Sequence, residues 1–165
     1  MKEEIPFLDL KGLHARYLEQ FTEISREIVS NAGFIGGTQV SDFEAEFAEY
    51  CQSKGAVGVA NGTDAIELAL RALNSGPGDE VITAANTFFA TVEAIEHSGA
   101  TTVFADCDPY TWLLDVGATE AAITPKTAAI VAVHLYGQPA PMVQLRYLAD
   151  KYNLALIEDA AQAHG

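Results

Sequence analysis

Positive charge is scarce in this sequence. Lys and Arg together number 9, against 23 Asp and Glu, which gives a formal net charge of −14. General affinity for nucleic acid or for an anionic membrane surface depends on clustered basic side chains. We therefore expect neither nucleic acid nor membrane as a partner, whereas a local site for a small anion remains compatible with the composition.

Cysteine and long apolar runs are also scarce. Cys51 and Cys107 are the only cysteines, and they stand far apart without the spacing of metal ligands. We expect both to be reduced thiols in or near the core, and we expect no metal site. No apolar run is long enough to cross a membrane, and the start of the chain lacks the basic-then-apolar order of a secretory signal. These features favour a soluble cytoplasmic protein.

What the sequence does contain is an alternation of short β-branched runs with amphipathic stretches, and its 49% of hydrophobic residues can build a sizeable core. Strands are predicted at Ala56–Ala60, Val81–Ala85, Thr102–Ala105, Ala129–His134 and Ala155–Ile157. Helices are predicted at Arg16–Ser30, around Phe43, Phe47 and Cys51, and at Asp64–Leu73, Thr87–His97 and Pro141–Tyr152. This order predicts an α/β fold with three layers (αβα), in which helices cover both faces of a mostly parallel sheet.

Ligands of such sheets bind beyond the carboxyl ends of the strands, so the strand-to-helix turns are the candidate sites. The first is the turn Asn61–Asp64, between a predicted strand and a predicted helix. Gly62 permits a tight turn, the Thr63 hydroxyl and the free amides of the first helical turn are available, and the helix dipole favours an anion. A phosphate group fits this turn. The alternative is an ordinary capped helix, with Thr63 or Asp64 as the cap.

The second candidate turn carries two aromatic residues, Phe88 and Phe89, at the start of a predicted helix. Either side chain can enter the core or lie over a flat ligand at the strand ends. Phe88 stands one turn before Val92, which continues a predicted buried face, and this spacing brings Phe88 close to the strand tips. Phe88 is therefore the better candidate for contact with a ligand.

The third candidate turn follows the last predicted strand, where Glu158 and Asp159 are adjacent. No Lys or Arg follows Lys151, so no local basic partner for Asp159 is indicated. An anion site at Gly62–Asp64, a flat ring at Phe88 and a cationic ring nitrogen facing Asp159 together describe pyridoxal 5′-phosphate. An aspartate beside the pyridine nitrogen keeps it protonated, so that the ring accepts electrons. The alternative for Asp159 is an acid that caps a nearby amide or pairs with a basic residue.

Four segments also resemble the DegT/DnrJ/EryC1/StrS family, the sugar aminotransferases of fold type I. They are FEAEFAEYCQSKGAVGVANGTDAIELALRAL, GPGDEVITAANTFFAT, AAITPKTAAIVAVHLYGQPA and LALIEDAAQAHG, which occur in the order and spacing of the family. The resemblance implies cofactor contacts for six residues: Gly62, Thr63 and Asp64 in the phosphate-binding turn, Phe88 stacked on the pyridine ring, Asp159 as the catalytic partner of the ring nitrogen, and Gln162 near the ring hydroxyl.

The same resemblance implies features that lie outside these six residues. The family's Schiff-base lysine lies downstream of the EDAAQAHG segment, and the five lysines of this sequence match family positions without a catalytic role. Family members also have a smaller C-terminal domain and complete each active site with residues of a partner subunit. Residues 1–165 are therefore expected to be the incomplete, N-terminal part of the cofactor-binding large domain of a homodimer, inactive alone.

The start of the chain narrows the expected reaction. The segments IPFLDLKGLHARYLEQ and GFIGGTQVSDFE look most like those of members that aminate a keto-deoxysugar linked to a nucleoside diphosphate, usually with glutamate as amino donor. One alternative is a truncated relative that binds the cofactor or a partner without chemistry.

A second alternative rests on Asp106 and Asp108, a D-x-D pair reminiscent of haloacid dehalogenase phosphatases. In those enzymes the first aspartate is a nucleophile and the second an acid, but Tyr110 stands where they usually have Thr or Val. A polar turn at Asp108-Pro109 explains the same residues. His134 and His164 are expected to be satisfied near-core histidines, and His134 is left outside the predicted site.

Overall fold

The computed structural model of the chain describes residues 5–164, which form two compact units, residues 5–56 and residues 57–164. The first unit contains three helices: α1 (Leu10–Ala15), α2 (Leu18–Ser30) and α3 (Thr38–Tyr50). The predicted helix at Arg16–Ser30 is confirmed as α2, and its apolar side chains Leu18, Phe21 and Ile24 remain exposed. No helix among residues 5–164 is both long and apolar enough to span a bilayer.

Both cysteines are free thiols, but the expectation that they lie in or near the core is wrong for Cys51. Cys51 is exposed: it is the C-cap residue that follows α3, and no residue of that helix is buried. Cys107 is half-buried, in a short antiparallel bridge with Leu114.

The second unit is built from four strands and four α-helices. In chain order they are α4 (Gly62–Ala72), β1 (Glu80–Ala84), α5 (Phe89–Ser98), β2 (Thr101–Ala105), α6 (Val116–Ala122), β3 (Thr127–Val133), α7 (Met142–Tyr152) and β4 (Ala155–Asp159). A 3₁₀ turn, Leu135–Gly137, follows β3. The strand order is β2-β1-β3-β4, and every pair is parallel. The predicted parallel sheet is thus confirmed.

Alternating side chains of the strands point to opposite faces of this sheet. Val81 and Val131 pack with Ile66 and Leu70 of α4 on one face. Ile82 and Ile130 pack on the other face, in a cluster that includes Leu145 of α7. Ala94 and Ile95 of α5 join the first cluster, and Val116 and Ala118 of α6 join the second. Helices therefore cover both faces, and the three-layer αβα prediction is confirmed.

The predicted strand at Ala56–Ala60 is not formed, and this is a correction to the sequence prediction. Residues 56–60 have no regular secondary structure, and the Val57 side chain is 83% exposed. A strand needs a neighbour to satisfy its backbone groups, and none of the four strands in the described part of the second unit pairs with this segment. The helix α6 and the 3₁₀ turn were not predicted.

Candidate functional site

The two helices α4 and α5 start at the same edge of the sheet. Near the end of α4, the Arg71 Nη2 atom donates to the carbonyl of His97 near the end of α5, at 2.6 Å. After these ends the chain enters β1 at Glu80 and β2 at Thr101, so both helices finish at the amino ends of the strands. Their first residues therefore lie at the opposite edge, which the carboxyl ends of the parallel strands form and which we call the carboxyl edge.

The start of α4 leaves two backbone donors unused. Asn61 caps the helix: its Oδ1 accepts the Asp64 amide at 2.9 Å, and its carbonyl accepts the Ala65 amide at 3.1 Å. Within residues 5–164 the amides of Gly62 and Thr63 have no hydrogen-bond partner, as is usual for the first helical residues. A Cβ atom added at Gly62 would meet no atom within 4 Å. Two amides, the Thr63 hydroxyl and open space thus suit an anion.

The cap differs from the one considered in the sequence analysis. Asn61 fills that position instead of Thr63 or Asp64, and α4 begins at Gly62, two residues before the predicted start. Because the Asp64 amide is already engaged by Asn61, the free donors for a ligand are those of Gly62 and Thr63. The structure therefore combines a capped helix with two unused amide donors, so the cap does not exclude an anion at this turn.

Phe88 precedes α5 at the carboxyl edge and does not enter the core. Its side chain is 71% exposed, and that of Phe89 is 70% exposed. The turn that carries Phe88 is held in place, because the Asn86 side-chain amide donates to the Trp112 carbonyl at 2.8 Å and the Thr87 and Thr91 hydroxyls are 3.1 Å apart. Of the two expectations for Phe88, the exposed position is the one observed, and it leaves the ring available to a flat ligand.

Asp159 is the last residue of β4, at the carboxyl edge, and it is half-buried. Its Oδ1 accepts the Ala161 amide at 3.0 Å, and its second carboxylate oxygen has no partner in the described part of the chain. Ile157 and Ala155, two and four residues earlier, pack on the face that α4 covers. Because side chains alternate along a strand, Asp159 lies on that same face. The free carboxylate oxygen and the α4 donors therefore share one face and one edge of the sheet.

The neighbouring acid, Glu158, lies on the opposite face and is bound to a histidine. The Nε2 atom of His134 is 2.7 Å from Glu158 Oε1, and the Nδ1 atom of His134 accepts the Ala140 amide at 3.0 Å. Since Nδ1 accepts a hydrogen bond from the Ala140 amide, the hydrogen of the neutral ring is on Nε2, which donates to Glu158. His134 is 3% exposed. The prediction that His134 is a satisfied near-core residue is confirmed.

Gln162 lies in the turn after β4 and contacts the 3₁₀ turn. Its Oε1 accepts the backbone amide of Tyr136, a residue in the left-handed region at φ 59°. The Gly137 backbone also lies close to Gln162, since an added Cβ would stand 3.1 Å from the Gln162 carbonyl oxygen. The oxygen of the Gln162 side chain is therefore engaged, and its amide nitrogen is the group left for a ligand. No feature of the sequence indicates this hydrogen bond between Tyr136 and Gln162.

Asp106 and Asp108 follow β2 and form a polar turn. Asp108 Oδ1 accepts the Tyr110 amide at 3.0 Å and the Thr111 amide at 2.8 Å, and these backbone hydrogen bonds, the one from Thr111 most, lower the pKa of Asp108. Asp106 Oδ1 accepts the Cys107 amide at 2.9 Å. The polar-turn interpretation is thus confirmed, because each of these oxygens accepts hydrogen bonds from the local backbone.

Both lysines of the second unit lie at the amino edge of the sheet, away from Asp159. Lys126 directly precedes β3, and Lys151 lies in the last turn of α7, before β4. Lys151 Nζ donates to Glu120 Oε1 at 2.7 Å, which raises the pKa of Lys151 and lowers that of Glu120. The other lysines belong to the first unit or lie outside the described residues: Lys11, Lys54 and Lys2.

A parallel αβα sheet with unused helix donors and a carboxylate at its carboxyl edge is typical of α/β proteins that bind a phosphate-bearing ligand. The sequence model of the DegT/DnrJ/EryC1/StrS aminotransferase family matches residues 17–165 of this chain. The chain belongs to that family.

Individual relatives agree with this assignment. Over 161 residues the chain is 45% identical to the dTDP-3-amino-3,6-dideoxy-alpha-D-galactopyranose transaminase of Aneurinibacillus thermoaerophilus, which covers 98% of this chain and 44% of that protein. The crystal structure of Streptomyces venezuelae DesV in complex with a ketimine intermediate is 46% identical, with a TM-score of 0.88 over 99% of this chain and 44% of that one. The structure of NtdA from Bacillus subtilis, with bound cofactor PMP, is 37% identical, with a TM-score of 0.92 over 98% of this chain and 38% of that one. The chain thus spans less than half the length of these relatives.

Proposed function

We propose that residues 1–165 are the N-terminal part of the pyridoxal 5′-phosphate-binding large domain of a sugar aminotransferase. The complete enzyme moves an amino group from an amino acid, with glutamate as the expected donor, to a keto-deoxysugar linked to a nucleoside diphosphate. The observation that carries the proposal is the position of the Gly62 and Thr63 amides and of Asp159, on one face and one edge of the sheet. Family membership supports the reaction class, and the transaminase relative supports the class of substrate.

The start of α4 binds the cofactor phosphate in this proposal. The amides of Gly62 and Thr63 and the Thr63 hydroxyl donate to phosphate oxygens, and the helix dipole adds favourable charge. The Asp64 carboxylate stands in the same first turn and bears like charge to the phosphate, so the contribution of Asp64 is to hold the cap through its amide. Anchoring the phosphate fixes the distance of the ring from the sheet.

The ring is held by three residues at the carboxyl edge. Phe88, exposed and carried by a hydrogen-bonded turn, stacks on one side of the ring. The Gln162 amide nitrogen donates to the ring hydroxyl, while its oxygen stays on the Tyr136 amide. The free oxygen of Asp159 would accept a hydrogen bond from the protonated pyridine nitrogen and would keep that nitrogen charged. Pyridoxal phosphate, when bound, supplies the electron sink for proton removal beside the transferred nitrogen.

The residue that carries the cofactor covalently comes from outside residues 57–164. Both lysines of this unit stand at the amino edge, the opposite end of the sheet from Asp159, and Lys151 is already engaged by Glu120. By family resemblance, a lysine from a later part of the protein and residues of a partner subunit complete the site of a cytoplasmic homodimer. Residues 1–165 alone are then expected to bind the cofactor weakly and not to catalyse amino transfer.

The proposal is tested by comparing the full-length protein with residues 1–165 alone. Each is incubated with pyridoxal phosphate, glutamate and a keto-sugar nucleotide, and amino-sugar nucleotide is measured by mass spectrometry. We expect product from the full-length protein only. In the 165-residue chain, borohydride reduction and peptide mapping are expected to find no stoichiometric label on its five lysines. Stoichiometric labelling with turnover in that chain would contradict the proposal, and cofactor binding without transfer by the full-length protein would favour a non-catalytic relative.

A further inference from the structure

His134 makes two hydrogen bonds to the carboxyl end of β4. The backbone register of β3 with β4 ends at the pair Val133 and Asp159, and the His134 amide then donates to the Asp159 carbonyl at 3.0 Å. The His134 ring adds its bond to Glu158, also in the last two residues of β4. β4 is an edge strand of the described sheet, so β3 and His134 are its lateral support there.

The other ring nitrogen of His134 fixes the histidine itself. Nδ1 accepts the amide of Ala140, which is 4% exposed, so the imidazole is tied to the segment that leads into α7. A buried ring with both nitrogens engaged has little freedom to rotate. The ring therefore connects a fixed part of the unit, at Ala140, to the tip of an edge strand, at Glu158, next to the carboxylate of Asp159.

On this basis we propose that His134 is a positioning residue of the cofactor site, acting through Glu158 to hold Asp159 at the place of the ring nitrogen. The inference rests on the proposed function, and it gives the adjacent acids different tasks. Glu158, on one face of β4, bonds the strand to His134, whereas Asp159, on the other face, contacts the cofactor. His134 itself contacts neither cofactor nor substrate in this proposal.

Two substitutions of His134 separate the two ring bonds. His134→Gln places an amide nitrogen near the original Nε2, so it keeps the donor to Glu158 and loses the acceptor for the buried Ala140 amide. His134→Asn places an oxygen near the original Nδ1, so it keeps the acceptor for Ala140 and loses the bond to Glu158. Because an unpaired buried amide is costly, His134→Gln is expected to be the less stable variant. Because His134→Gln keeps the hydrogen bond to Glu158, it is expected to bind the cofactor more tightly than His134→Asn.

The measurements are made on the full-length protein. A misplacement of about 1 Å in a site can cost about 100-fold, so we expect the Kd for pyridoxal phosphate to rise about 10- to 100-fold in His134→Asn. Hydrogen exchange of the Ala161 amide, which donates to Asp159 Oδ1, reports the Asp159 position without cofactor and is expected to accelerate in the same variant. In His134→Gln both quantities are expected to stay near the parent, with a lower Tm.

Glu158 supplies a second route to the same test. Its side chain is 54% exposed, so Glu158→Ala is expected to fold normally and still to weaken cofactor binding as much as His134→Asn does. The double variant His134→Asn/Glu158→Ala is expected to have the same Kd for pyridoxal phosphate as either single variant, because both substitutions remove the same hydrogen bond.

The outcomes separate the two proposals. If the parent protein fails to bind pyridoxal phosphate, the proposed function is refuted, and with it the basis of this inference. If the parent binds but Glu158→Ala leaves both the Kd and the Ala161 exchange unchanged, the positioning role alone is wrong. Additive losses in the double variant, or binding that follows Tm so that His134→Gln is the weaker binder, would also overturn it and assign His134 a purely structural role.

Discussion

Asp159→Asn in the full-length protein is expected to lower the rate of amino transfer by about 100-fold or more, the scale seen when one preorganised electrostatic partner is removed. A neutral amide does not hold the pyridine nitrogen in its protonated form. The fold is expected to survive, because the asparagine Oδ1 can accept the Ala161 amide as Asp159 does. Single-turnover kinetics with a keto-sugar nucleotide measure the effect.

A matched control for Asp159→Asn is Asp150→Asn, which makes the same chemical change on the exposed surface of α7. Its rate is expected to equal that of the parent. An unchanged transfer rate in Asp159→Asn would remove Asp159 from the site, and an equal loss in both variants would attribute the effect to net charge.

Gly62→Val is expected to weaken the binding of pyridoxal phosphate by about 10- to 100-fold, since hydrogen bonds to a charged group contribute about 1.5–3 kcal/mol. The position is open, with no atom within 4 Å of an added Cβ, so we expect the unliganded chain to accept the substitution. The valine side chain instead occupies the space in front of the first amides of α4. Equilibrium titration of the full-length variant measures the loss.

The control for Gly62→Val is a change of ligand. Pyridoxal lacks the phosphate and binds more weakly, so its Kd is expected to be the same in the parent and in Gly62→Val. For pyridoxal phosphate, the Kd of Gly62→Ala is expected to lie between those of the parent and Gly62→Val. If Gly62→Val binds pyridoxal phosphate as tightly as the parent, this turn is an ordinary capped helix without a phosphate contact. An equal loss for both ligands would place the contact away from the phosphate.

The sheet could be predicted from sequence because its signal is local. The apolar runs at Val81 and at Ala155 are short and followed by turns, and the corresponding strands β1 and β4 begin within one residue of the prediction. The run at Ala56–Ala60 has the same local signal, yet pairing depends on a neighbour that a run of five residues does not encode. The helix α6 was missed because Val116–Ala122 is short and contains Gly117, which weakens the helical pattern.

The candidate site was predictable in part for the same reason. The turn at Gly62 and the acid at the end of β4 each follow from their place after an apolar run, and their roles with a cofactor stay predictions. The tether from His134 to Glu158 joins residues 24 positions apart, and the contact of Tyr136 with Gln162 joins residues 26 apart. Such pairs depend on the register of parallel strands, which alternation of strands and helices does not specify.

The most direct test of the proposed site is the crystal structure of the full-length protein with bound pyridoxal phosphate. We expect the phosphate at the amides of Gly62 and Thr63, the ring beside Phe88, and the pyridine nitrogen about 2.7–2.9 Å from an Asp159 oxygen, the usual length of a charge-assisted hydrogen bond. A phosphate bound elsewhere, or a pyridine nitrogen facing away from Asp159, would contradict the assignment of the carboxyl edge of this sheet as the cofactor site.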